Sequence, residues 1–142
     1  MRLSTKTRYA VRALIDLALH YKGKPVLIKD IAERQNVSTR YLENIFTVLR
    51  AGGILSSSRG LGGGFSLARD PGKIDLLRIV EMLEGSVLLV NCLEAPKECS
   101  SAGKCVTQEV WRNLNRTIRE NLVHVTLKDL IQKQKKFFRK MK

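Results

Sequence analysis

Apolar residues recur along this chain at helical spacing through most of its length, and switch to strand-like runs once. Ala10, Leu14, Leu17, Ala18 and Tyr21 give an inward face to a first helix that Ser4 or Thr5 can cap and that runs to about Tyr21. Lys22-Gly23-Lys24-Pro25 stops it, since glycine suits the end of a helix and proline cannot continue one. A short second helix from about Ile28 to Gln35 turns Ile31 and Ala32 inward. Asn36-Val37 makes a tight turn, and Ser38 is placed to cap a third helix. That helix carries Leu42, Ile45, Phe46 and Leu49 at i, i+3, i+4 and i+7 and ends at Ala51-Gly52-Gly53.

The period then changes. Ile54–Ser58, the turn Arg59-Gly60-Leu61-Gly62-Gly63-Gly64, and Phe65-Ser66-Leu67 read as a β-hairpin. Two short helices joined by a tight turn, then a hairpin, predict a winged helix-turn-helix. After Pro71-Gly72, Asp75 caps a helix to about Glu84 with Ile79, Val80 and Leu83 inward. A long amphipathic helix is expected over about 107–122, striped by Trp111, Leu114, Ile118 and Leu122. Thr126, with Asp129 three residues on, opens a last helix whose apolar positions are Leu127, Leu130, Ile131 and Phe138. Its final ten residues hold six basic side chains and read as a solvated or frayed tail. The fold class expected is mainly α with a small β-hairpin wing, and the chain divides into 1–85, a loop over 86–105, and 106–142.

Charge adds a partner. With 26 basic and 13 acidic side chains the net charge is +13, which favours a polyanion, nucleic acid before an anionic membrane. In a helix-turn-helix the second helix of the pair enters the major groove and its first residues reach base edges. Here those are Ser38, Thr39, Arg40 and Glu43. Arginine can pair with guanine, and glutamate can accept from the cytosine amino group. Ser38 also has a simple role as a cap. Arg59 and Gly60 at the hairpin tip suit insertion into a narrow minor groove. The glycine-rich turn lacks the G-K-[ST] ending of a phosphate loop, so a nucleotide site is rejected. No catalytic triad, H-E-x-x-H or paired carboxylates can be assembled, so an enzyme is not expected.

The three cysteines, Cys92, Cys99 and Cys105, fall within 14 residues of polar sequence broken by Pro96 and Gly103. The N-terminus lacks the apolar core of a secretory signal, and no 18-residue apolar run exists, so the expected compartment is the cytoplasm. There, thiols stay reduced and clustered cysteines bind metal or do redox chemistry. Their x6 and x5 spacings differ from the short knuckles of structural zinc sites, but zinc, thiol oxidation and an inert set all stay open.

Met1–Ala10, Val37-Ser38, Tyr41-Leu42-Glu43, Ser58–Phe65 and Cys105-Val106-Thr107 with Trp111 together resemble the IscR/NsrR-type bacterial transcription regulators over nearly the whole chain. The resemblance implies a homodimer formed largely by the long helix, and binding to double-stranded, pseudo-palindromic promoter DNA, as for a repressor. It also implies an iron–sulfur cluster, 2Fe–2S in most cluster-binding relatives, held by Cys92, Cys99 and Cys105. Such a cluster needs four ligands. At the two positions where relatives supply the fourth, this chain has Gln108 and Arg8, leaving Asn91, Glu94, Glu98, Glu109 or an external ligand. Some members carry no cluster and respond through a partner protein.

Overall fold

The computed structural model describes residues 2–142; Met1, the first residue of the N-terminal motif, lies outside them. Helices α1 (Thr5–His20), α2 (Ile28–Gln35) and α3 (Thr39–Ala51) lead into strands β1 (Leu55–Ser58) and β2 (Gly64–Leu67). Helices α4 (Leu76–Glu84), α5 (Val106–His124) and α6 (Leu127–Lys140) follow. Mainly helical structure with one antiparallel hairpin is therefore the architecture. Among the described residues no helix is long and apolar enough to cross a membrane.

The boundaries follow local chemistry. Ser4, Ser38 and Asp75 each accept a hydrogen bond from the backbone N–H three residues on, satisfying a donor that the helix start leaves orphaned. Thr126 and Asp129 form a complete capping box at α6. Asn36 closes α2 in the left-handed conformation at φ 54°, which asparagine tolerates better than most residues. The basic tail, expected to be solvated or frayed, is solvated: its six cations are exposed, on a helix that runs to Lys140.

One core joins α1, α2, α3, the hairpin and α6, with Leu14, Leu17, Ile31, Leu42, Ile45, Phe46 and Leu49 fully buried. Leu127 and Ile131 belong to it too, so α6 folds back onto α1 rather than extending the long helix. A β-bridge makes that return possible: Leu76 N–H donates to Val125 O at 2.8 Å, and Leu127 N–H to Ile74 O at 2.8 Å. Phe138, one of the apolar positions expected of this helix, is 49% exposed and lies in an open cleft beside Arg12, Ile15 and Leu19 of α1. A second cluster of Leu77, Val80 and Val87 takes in Ile118 and Leu122, fastening α4 to the C-terminal half of α5.

Glu84 ties the end of α4 to the start of α1. Its Oε1 accepts from Ser4 N at 2.9 Å and from the Ser4 and Thr7 hydroxyls. Those hydroxyl bonds, helped by the Ser4 amide, hold its carboxyl below the usual carboxylate range. A depressed folded-state pKa stabilises the fold above the ordinary glutamate pKa and ceases to do so as pH falls through the depressed value. Glu84→Gln is therefore expected to cost ~0.5 kcal/mol at pH 7, a value kept small by solvent exposure. In urea melts run from pH 7 downward, the gap to wild type should narrow only once the pH falls below the ordinary glutamate value of about 4.3, and close at the depressed one. A gap that persists unchanged through that range would contradict the role.

Candidate nucleic-acid interface and cysteine loop

The α3 start and the hairpin tip are displayed by different means. Helix α2 ends as the N–H of Val37 donates to Ala32 O at 3.0 Å. The chain then turns and Ser38 restarts it, its Oγ accepting from Tyr41 N at 3.2 Å. Leu42, Ile45, Phe46 and Leu49 anchor one face of α3 in the core, which leaves the opposite face to water. Ser38, Arg40 and Glu43 are exposed and Thr39 is half-buried. Asn44, Thr47 and Arg50 continue this exposed face. Counting along the helix from Arg40 would have found them. Tyr41 packs edge-on against Tyr9 of α1 at 6.1 Å, and the Arg12 guanidinium lies 5.3 Å from the Tyr9 ring centre. These contacts fix the first turn of α3 against α1.

In the hairpin, Leu55 pairs with Leu67 and Ser58 with Gly64. Arg59, Gly60, Leu61 and Gly62 form an exposed tip, with Gly60 at φ +86° and open space around it. Val26 and Phe65 exchange two backbone hydrogen bonds of 2.8 Å each, adding a third short segment beside β2. Phe65 then meets Phe46 edge-on at 5.0 Å. The base of the wing is thereby held to the core side of α3. Arg50 adds a link by donating to Ser57 Oγ at 3.1 Å. Nothing in the local sequence near Val26 signals this pairing.

At the contact of α1 with α2, Asp16 is 6% exposed and accepts from four donors or near donors. Arg34 reaches it through Nε at 3.0 Å and Nη2 at 2.6 Å, Gln35 Nε2 at 2.9 Å, and His20 Nδ1 lies 3.5 Å away. Hydrogen bonding to Asp16 is the main reason the Arg34 pKa rises above its ordinary value. This pair clamps α2 to α1, and so sets the platform from which α3 departs.

The cysteines lie on a loop of short 3₁₀ turns. Cys92 sits in the turn Asn91–Leu93, Cys99 ends the turn Pro96–Glu98, and Cys105 precedes the first residue of α5. All three are free thiols and partly buried. Cys105 Sγ lies 3.0 Å from the Thr107 hydroxyl. That bond, then the Gln108 amide at the helix start, lowers the Cys105 thiol pKa, which enriches the thiolate that binds metal or attacks oxidants. Leu89 N–H donates to Asn115 Oδ1 at 3.0 Å, tying the loop's approach to α5.

By donor chemistry the loop fits a thiolate-held metal group, with three unpaired sulfurs and one acidified. By position, among the described residues no group of three His, Cys, Asp or Glu side chains is gathered as a metal site. The three thiols share a loop without converging, so ligation requires the loop to close. Gln108 is half-buried, while Arg8 is exposed and turned to Thr5 Oγ1. His20 bonds its own helix, as does His124.

The α5 stripe is split. Ile118 and Leu122 are covered by α4, while Val106, Val110, Trp111 and Leu114 are exposed at 82, 51, 38 and 47%.

Comparison with known proteins agrees with this architecture. A family model described as Rrf2, an iron-dependent transcriptional regulator, matches residues 3–133. The HTH-type transcriptional regulator IscR of Xenorhabdus nematophila is 40% identical over 134 residues, 94% of this chain and 81% of that protein. Among solved structures, IscR of T. potens is similar with a TM-score of 0.75 and 38% identity, covering 94% of this chain and 88% of that one. CymR, the global cysteine regulator of B. subtilis, is similar with a TM-score of 0.78 and 32% identity, covering 93% and 97%.

Proposed function

The chain belongs to the Rrf2 family of transcriptional regulators, and on that premise we propose that it works as a homodimer whose DNA affinity is set by the chemistry of Cys92, Cys99 and Cys105. The observation that carries the DNA half is the exposed start of α3 beside an exposed arginine wing, on a chain of net charge +13. Arg40 and Glu43 read base edges in the major groove, Ser38 and Thr39 contact bases or phosphates, and Arg59 enters the minor groove where Gly60 permits close approach. The bare Val110–Trp111–Leu114 face of α5 supports pairing with a second copy, since a contiguous apolar face of this kind marks an interface. A two-fold dimer reads two half-sites.

Selection of binding sites from a random duplex pool is expected to return a pseudo-palindrome. Arg59→Ala should then weaken binding to that site by about tenfold, or ~1.4 kcal/mol. Glu43→Ala should chiefly relax base preference at one position in each half-site. Unchanged affinity for the first variant and unchanged preference for the second would remove these residues from the interface.

For the cysteine loop, the reading is an iron–sulfur cluster, 2Fe–2S, held by Cys92, Cys99 and Cys105 with a fourth ligand from Asn91, Glu94, Glu98, Glu109 or solvent. Such a cluster would supply redox and small-molecule sensitivity. The loop closes on binding and, through Leu89 and Asn115, changes how it sits on α5. Protein purified without oxygen is expected to be coloured and to contain iron and sulfide, and Cys105→Ala to lose both. Colourless wild type after reconstitution would exclude the cluster. The acidified Cys105 favours a second reading, thiol oxidation without metal; it predicts that mild peroxide alone alters DNA affinity of the metal-free protein.

A further inference from the structure

Away from the α3 face and the cysteine loop, a cavity of about 460 Å³ opens between the end of α1, the foot of β2 and α6. Its floor is apolar, made by Leu17, Ala18, Leu67 and Ile131. Its rim carries Arg69, Lys128 and Lys135, and among the described residues no acidic side chain lines it. The volume lies within the range of small-molecule sites, which pair an apolar body with a few placed polar groups. It is a solvent-open cleft at the seam of three elements rather than a void within the close-packed core. DNA binding does not account for an apolar floor here, since phosphate recognition needs only the cations.

We propose that this cavity is a binding site for a small amphiphilic anion: an acyl chain or ring over Leu17, Leu67 and Ile131, with a carboxylate or sulfonate at Lys128, Lys135 and Arg69. Charge complementarity selects this ligand class. An apolar neutral molecule would leave the cations unpaired, and a bare inorganic anion would leave the floor wet. Two of the rim elements matter to the rest of the protein. Arg69 also donates from Nε to Gly53 O at 3.1 Å, at the end of α3, and Leu67 closes the wing strand. An occupant therefore touches the foot of β2 directly and, through Arg69, the turn that follows α3. The site is independent of the cluster reading and of the DNA contacts assigned above.

The test is displacement of N-phenyl-1-naphthylamine, an uncharged dye that fluoresces when bound to apolar surface, from the full chain at low salt. Octanoate is expected to displace it saturably, and 1-octanol, with the same chain length and no charge, to do so at about tenfold higher concentration. A tenfold ratio is what one partly desolvated charge pair supplies. The double variant K128E/K135E changes two exposed residues of α6. It should abolish the preference for octanoate over octanol while octanol competition and the thermal midpoint hold. Equal potency of the two competitors on wild type overturns the proposal. So does an octanoate preference that survives the double charge reversal, or dye that octanoate fails to displace.

Discussion

Asp16→Ala is expected to destabilise the fold by about 3 kcal/mol, the largest effect of any single polar substitution in the chain. Removing one member of a buried ion pair leaves the other charge uncompensated, which costs about 3–5 kcal/mol when both are enclosed. Asp16 is 6% exposed while the Arg34 side chain is 34% exposed, so Arg34 recovers some hydration and the lower end applies. Gln35 also loses its acceptor. For a chain of this size the loss corresponds to a fall in Tm of roughly 10 °C. Urea denaturation followed by far-ultraviolet circular dichroism measures it. Asp16→Asn keeps the volume and one acceptor and should cost less than the alanine variant. Equal values for wild type and alanine variant would mean that packing between α1 and α2 needs no clamp.

Gly64→Ala is expected to unseat the wing without unfolding the helices. Gly64 sits at φ +144°, and a Cβ there would lie 2.5 Å from Val26 O. The obstacle is backbone, which cannot rotate away as a side chain tip would. Strain at such a φ costs about 1–3 kcal/mol, and relief requires breaking the Val26–Phe65 bridge, worth about 1 kcal/mol per bond. Amide exchange at Val26 and Phe65 should therefore rise by roughly a hundredfold, equivalent to ~2.7 kcal/mol of local opening. Amides in α1 and the core turns of α3 should exchange as in wild type. Promoter affinity should fall at least as far as in Arg59→Ala, because the whole tip moves. Arg59→Ala by contrast leaves exchange at Val26 and Phe65 unaltered. Unchanged exchange in Gly64→Ala would show that the wing tolerates a Cβ against Val26.

The candidate DNA-reading residues were legible because each depends on its own few neighbours. Ser38 follows a turn made by Asn36 and Val37, and Arg40 and Glu43 fall opposite Leu42, Ile45 and Leu49 on the same helix. Arg59 and Gly60 sit where two strand-like runs must be joined. The cysteine set was visible from spacing and polarity alone. Its state was less so. Cys105 is acidified by Thr107 and by the start of α5, yet Cys92 and Cys99 lie on separate 3₁₀ turns that the sequence reads only as loop.

What the chain alone determined is the identity and limits of its elements: the caps at Ser4, Ser38, Asp75 and Thr126, the turn at Asn36-Val37, the hairpin, and the inward faces of α1 and α3. Those rest on hydrogen bonds and periodicities that span three or four residues. Tertiary structure decided the rest. It paired Asp16 with Arg34 across 18 positions, set Val26 beside Phe65, returned α6 to α1, and divided the α5 stripe into a half covered by α4 and a half left bare. Each of these joins residues far apart in sequence. The entropy of closing such loops is offset only when many apolar contacts form together, so no short window of sequence carries their signal.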